Sequence, residues 1–149
     1  MDEKMNEQTA GYLLFDQEYD CAQSVFQRYS EELGIDRDDA LKIAACFGGG
    51  MQQGDACGCV TGALMAIGLK YGFHEPKDAV GKKISNAKGA EFIKKFREKF
   101  GAICCRDLIG VDVSTDEGKQ KAFASGVIRD RCPGFVTGAC EILDDMLQE

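Results

Sequence analysis

Apolar residues recur along this chain at intervals of three and four rather than in alternation, which puts one apolar stripe on each of a series of helices. A short first helix is expected over about residues 8–15. Asp20 is placed to cap a second, with Ala22, Val25, Phe26, Tyr29 and Leu33 on one face and Gly34 as its stop. Asp36 opens a third, with Ala40, Ile43, Ala44 and Phe47 inward. The stretch Gly48-Gly49-Gly50-Met51-Gln52-Gln53-Gly54 reads as flexible. Asp55 then caps a fourth helix through Cys57, Leu64, Ile67, Leu69 and Tyr71 to a stop at Gly72. A basic amphipathic helix follows over about residues 83–100, with Ile84, Ile93, Phe96 and Phe100 as its stripe. Shorter helices are expected over residues 104–109 and 116–126. Pro133 suits the first turn of a final helix, with Phe135, Val136, Ala139, Ile142, Leu143 and Met146 inward. The pattern predicts an all-α protein, a single compact bundle of about six to eight helices. Residues 1–149 read as one domain, without linker, repeat or low-complexity tract.

The fourth helix holds Gly58, Gly62 and Gly68, each costing roughly 1 kcal/mol against alanine in a helix interior. Such a cost implies that another backbone or a ligand lies close, and close helix packing is the plainer expectation.

Composition narrows the function. The 149 residues are 44% apolar and 29% charged, an ordinary globular mixture. A net charge of -7 repels phosphate backbones and anionic lipid, so no nucleic-acid role is expected. The first residues are polar and acidic, and the longest mostly apolar run, residues 59–69, is too short to span a bilayer. No membrane insertion and a cytoplasmic location are therefore expected. Against that background the eight cysteines stand out. Reducing compartments disfavour structural disulfides, so thiols in number point to metal or redox chemistry there; in an exported protein they would pair as four staples.

Four of them, Cys21, Cys57, Cys105 and Cys132, fall at or near expected helix starts. A helix N-terminus presents free N–H groups and about half a positive charge, which stabilises a thiolate. Arg106 and Arg131 sit beside two of these sulfurs and are expected to push the same way. There is no C-x-x-C of the thioredoxin kind and no pair of C-x2-C knuckles for zinc. Cys57-Gly58-Cys59 is a C-x-C and Cys104-Cys105 a vicinal pair. Four separated thiolates at positive helix ends suit an iron–sulfur cluster, and equally two disulfides that open and close. Cys46 and Cys140 lie on apolar faces and are expected to be buried, while Cys59 and Cys104 are left open as auxiliaries. The triple glycine reads as a turn rather than a phosphate cradle. His74 reads as a surface loop residue, and Lys82-Lys83 and Lys94-Lys95 as a solvated helix face.

The segment ACFGGGMQQGDACGCVTGALMAIGLKYG, with Asp20-Cys21-Ala22-Gln23, FREKFGAICCRDLIG and RCPGFV, resembles the redox-active family named for its C…GCAxxG…C…C cysteine pattern. The resemblance covers nearly the whole chain. It maps the family's four cysteines onto Cys21, Cys57, Cys105 and Cys132, and the glycines of its central motif onto Gly58 and Gly62, which it places on the cofactor side. Where the family has alanine after Cys57-Gly58, this chain has Cys59: a spare ligand, a resolving thiol or a silent small residue. A related cysteine module accompanies the haems of split-Soret-type cytochromes, where it is held to carry an iron–sulfur centre; no C-x-x-C-H occurs here to attach haem. The resemblance implies electron transfer through the four cysteines, with an iron–sulfur cluster placed ahead of reversible disulfides. The alternatives are a thiol-dependent disulfide or peroxide reductase, and a zinc-stapled adaptor without redox work. A redox partner protein is implied, and self-association is left open.

Overall fold

Side-chain caps set most of the helix starts. In the computed structural model, which describes residues 4–148, Asn6 caps α1 (Glu7–Gly11) and Asp20 caps α2 (Cys21–Ser30). The Asp20 carboxylate accepts from the Gln23 N–H at 2.8 Å while the Gln23 side chain accepts from the Asp20 N–H at 3.0 Å, a reciprocal capping box. Asp36 caps α3 (Arg37–Ala44). Then come α4 (Gly58–Tyr71), α5 (Ala79–Phe100), α6 (Cys105–Ile109), α7 (Asp116–Ser125) and α8 (Val127–Met146). Among the described residues there is no strand, only one isolated antiparallel bridge, Ala56 with Cys104. None of the described helices is long and apolar enough to cross a membrane.

The apolar α4 lies at the centre, packed against α2, α5 and α8. Its Val60, Ala63, Ala66 and Ile67 are buried with Val25 and Phe26 of α2, Phe92 and Phe96 of α5, and Val136, Leu143 and Met146 of α8. Phe92, Phe96, Phe100 and Phe135 run as a ladder of rings with centroids 6.0, 4.8 and 5.1 Å apart. The Tyr29 hydroxyl lies 3.0 Å from the Cys140 carbonyl and 2.9 Å from the Asp144 carboxylate, tying α2 to α8.

Four local expectations are corrected. α5 begins a turn earlier than the apolar stripe indicates, because the Asp78 carboxylate accepts from the Gly81 N–H at 2.8 Å. Asp78→Ala should therefore cost about 1 kcal/mol in urea unfolding; an unchanged midpoint would show that the cap adds nothing. Ile43 and Ile84 face solvent, and Phe92 takes the core position on α5. Asp55 does not cap α4; Cys57 occupies that position. The largest correction is that α8 starts at Val127, so Pro133 sits inside the helix rather than in its first turn. A proline there removes one helical hydrogen bond and crowds the preceding turn, at about 3 kcal/mol. The same helix buries Cys132, Phe135, Val136, Leu143 and Met146. Each such side chain contributes roughly 1.5–3 kcal/mol, so burial outweighs the break.

Candidate functional site

Glycine brings two helix N-termini together. A Cβ built at Gly62 would lie 2.7 Å from the Ala22 carbonyl oxygen, and one at Gly58 would lie 2.8 Å from the Ala22 nitrogen and 3.1 Å from the Cys21 Cβ. Only glycine at these positions lets α4 approach α2 so closely. Cys21, the first residue of α2, and Cys57, at the cap position of α4, thereby become neighbours.

A second device brings in α6. The Cys57 N–H donates to the Ile103 carbonyl at 2.7 Å and the Cys105 N–H to the Asp55 carbonyl at 2.6 Å, on either side of the Ala56–Cys104 bridge. Arg106 pairs with the Asp55 carboxylate at 2.9 Å on the same seam. These contacts fix Cys105, the first residue of α6, beside Cys57. Cys132 comes from α8. It lies in that helix's second turn, not at its start, so the expected N-terminal field does not act on it.

All four sulfur-bearing residues, Cys21, Cys57, Cys105 and Cys132, line one cavity of about 520 Å³. Gly58 also lines it, whereas Gly62 does not; Gly62 serves the packing of α4 on α2. Leu14, Phe15, Ile109, Val113, Ile128 and Phe135 make apolar walls, with Glu18, Asp20 and Lys119 as charged groups.

The loop between α3 and α4 forms another wall through Gly48, Gly49, Gly50 and Gln52. It is not the slack segment its glycines suggest. Residues 49–52 all have positive φ, 64°, 60°, 59° and 61°, making a left-handed turn. A Cβ at Gly50 would come within 2.5 Å of the Asp55 backbone, so glycine is required there. Met51 and Gln52 hold the same handedness with side chains, at roughly 1–2 kcal/mol each. The Gln52 amide donates to the Gly48 carbonyl at 2.8 Å and helps to hold the turn.

The thiols are not electrostatically alike. Hydrogen bonds from the thiols of Cys132 and Cys59 hold Cys21 well below the ordinary thiol range, with its own backbone N–H adding to them against the opposing effect of burial. The same bond to Cys21, together with burial, pushes Cys132 up. Burial first, then the Cys57 and Cys21 charges, pushes Cys105 up to about 12. Cys21 is lowered while Cys105 and Cys132 are raised, in place of the expected set of activated thiols. Burial also raises the Asp20 carboxyl to about 6, against the lowering effect of backbone N–H groups from Gln23, Gly48 and Ala22. The two arginines expected to help are engaged elsewhere, Arg106 with Asp55 and Arg131 with the Leu108 carbonyl at 2.9 Å.

Since alkylation needs the thiolate, a lowered pKa keeps Cys21 reactive as pH falls below 9, and a raised one keeps Cys105 silent until pH climbs toward 12. Peptide mass spectrometry after brief iodoacetamide treatment at pH 7 should find Cys21 modified well ahead of Cys105; the reverse order would contradict this assignment.

The remaining cysteines divide. Cys59 is fully buried, and burial first, then the Cys21 and Cys57 side chains, pushes its thiol up. Cys104 stands at the cap position of α6, half-buried. Cys140 is buried as expected, and burial pushes it up to about 12. Cys46 is exposed, contrary to expectation, because the chain turns after Ala44 and leaves the helical face. His74 is an exposed loop residue 3.6 Å from the Glu75 carboxylate. Among the described residues, no group of three or more His, Cys, Asp or Glu side chains is arranged to hold a metal ion.

An all-α bundle that gathers four cysteines on one cavity defines a cysteine-based redox-active class. The family model described as "Putative redox-active protein (C_GCAxxG_C_C)" matches residues 19–146, and the chain belongs to that family. No curated protein and no solved structure matches it.

Proposed function

We propose that this redox-active protein works by thiol–disulfide exchange at Cys21 and Cys132, with Cys57 and Cys105 as a second pair on the same cavity. The observation that carries this reading is that Cys21 and Cys132, from two different helices, line one cavity, where Cys132 helps to hold Cys21 below the ordinary thiol range while Cys21 pushes Cys132 up. The Cys21 thiolate attacks one sulfur of an incoming disulfide, and the other sulfur leaves as a thiolate that takes up a proton. Cys132 then loses its proton and attacks the Cys21 sulfur, and the second half of the incoming molecule leaves as a thiol. Two electrons pass from the cysteine pair to the incoming disulfide. A partner dithiol returns them.

A second reading rests on a different observation, the convergence of four soft donors on one cavity. Thiolates are the donors that hold iron–sulfur clusters, and the glycine backbones at 49, 50 and 58 leave room beside them. Cys21, Cys57, Cys105 and Cys132 would be the ligands once their side chains turned toward one another, since as they stand no three of them are arranged to hold a metal ion; a bound cluster would supply one-electron transfer.

Anaerobic purification followed by absorption spectroscopy, iron, sulfide and zinc analysis, and thiol counting separates these. The expected result is a colourless protein that forms a Cys21–Cys132 disulfide when mixed with an equimolar small disulfide. Charge-transfer bands with bound iron and sulfide would replace this reading by the cluster. Stoichiometric zinc with thiols inert to the disulfide would overturn both in favour of a stapled adaptor.

A further inference from the structure

We infer that Cys59 is a fifth thiol of this centre, a resolving thiol that forms a disulfide with Cys21 in place of Cys132; this rests on the disulfide reading above.

The position follows from how α4 meets α2. Cys59 is the second residue of α4, one step beyond the glycine whose absent side chain lets the helix press against Cys21. A Cβ at neighbouring Gly58 would lie 3.1 Å from the Cys21 Cβ, which sets Cys59 beside Cys21 and Cys57, and both of those thiols act on it. It therefore connects the Cys21–Cys132 pair to the Cys57–Cys105 pair. Cys140 makes the contrast. It is equally buried, but the side chains acting on it are Tyr29, Arg28, Asp144 and Glu141, with no sulfur among them. A small buried residue needs no thiolate as neighbour, and Cys59 has one.

Cys59 has no exposed surface, so an external reagent reaches Cys21 first and Cys59 only through it. The exchange then stays inside the protein. Cys59 gives up its proton and attacks the Cys21 sulfur of a Cys21–Cys132 disulfide. The Cys21–Cys59 bond forms, the Cys21–Cys132 bond breaks, and the proton ends on Cys132. No electrons enter or leave. The pair that meets substrate is thus linked to a sulfur that substrate cannot touch. An oxidising equivalent can be moved inward and Cys132 returned to the thiol.

The test uses the full chain, reduced anaerobically, mixed with equimolar bis(2-hydroxyethyl) disulfide, quenched with acid, alkylated and mapped by peptide mass spectrometry. Wild type is compared with Cys132→Ala, Cys132→Ser and Cys132→Ala/Cys59→Ala. Alanine at 59 matches the family's pattern, and two replacements at 132 guard against one that folds poorly. With Cys132 gone, the expected product is a Cys21–Cys59 disulfide in most chains. The double variant should stall with the reagent still attached to Cys21. A stalled Cys21 adduct in both single variants, with Cys59 recovered as a thiol, would overturn the inference and leave the Cys21–Cys132 reading intact in wild type. A Cys21 that takes up no reagent in any of the proteins would overturn that reading, and the fifth thiol with it.

Discussion

Replacing Cys21 with serine should slow the reaction of the reduced protein with 2,2′-dipyridyl disulfide by about two to three orders of magnitude. The thiolate is the attacking species, and Cys21 is the cavity thiol whose surroundings favour it: two neighbouring thiols donate to its sulfur. The other cavity thiols for which a shift is clear, Cys105 and Cys132, are pushed the opposite way by burial and by the Cys21 charge. Cys105→Ser should accordingly change the rate by no more than about threefold. Stopped-flow release of the thiopyridone chromophore measures both. A Cys21→Ser protein that keeps the wild-type rate would show that the first attack comes from another sulfur.

The second large effect concerns packing. Gly62→Val should destabilise the protein by about 3 kcal/mol, near the upper end for overpacking, because its Cβ would lie 2.7 Å from the Ala22 oxygen and 3.0 Å from the Ala22 Cα. Backbone atoms cannot swing aside as a flexible side chain can. For a chain of this length, that loss lowers the melting temperature by roughly 6–12 °C. Gly68 supplies the control from the same helix. Nothing lies within 4 Å of its would-be Cβ, so Gly68→Ala should stabilise by up to about 1 kcal/mol. Differential scanning calorimetry of the two variants tests the pair. Equal and small shifts would mean that α2 and α4 are not held together through Gly62.

Much of the helical framework was legible because it rests on local chemistry. Asp20 and Asp36 mark helix starts through their caps, Gly72 marks the end of α4, and the 3.6-residue spacing of Val25, Phe26 and Tyr29 marks an inward face. Pro133 misled because its penalty is local while the burial that overrides it is tertiary. Asp55 misled because a carboxylate before a helix reads as a cap, whereas here it serves Arg106 and its carbonyl serves Cys105. Cys21, Cys57 and Cys105 could be picked out by position and resemblance and Cys132 by resemblance alone, but their unequal acidity could not. That inequality arises from which sulfurs touch, and contacts between residues 21 and 132 leave no mark on local sequence. Cys59 stayed open for the same reason. Its C-x-C spacing from Cys57 was the one available signal, and its contact with Cys21 exists only once α2 and α4 pack.

The left-handed turn at residues 49–52 also limits how this chain can drift. At positions 51 and 52, now Met and Gln, proline and β-branched residues are sterically shut out, whereas glycine, asparagine and aspartate enter readily. Divergence at these two places should therefore be filtered by backbone chirality more than by polarity, so that a methionine can give way to asparagine more easily than to isoleucine.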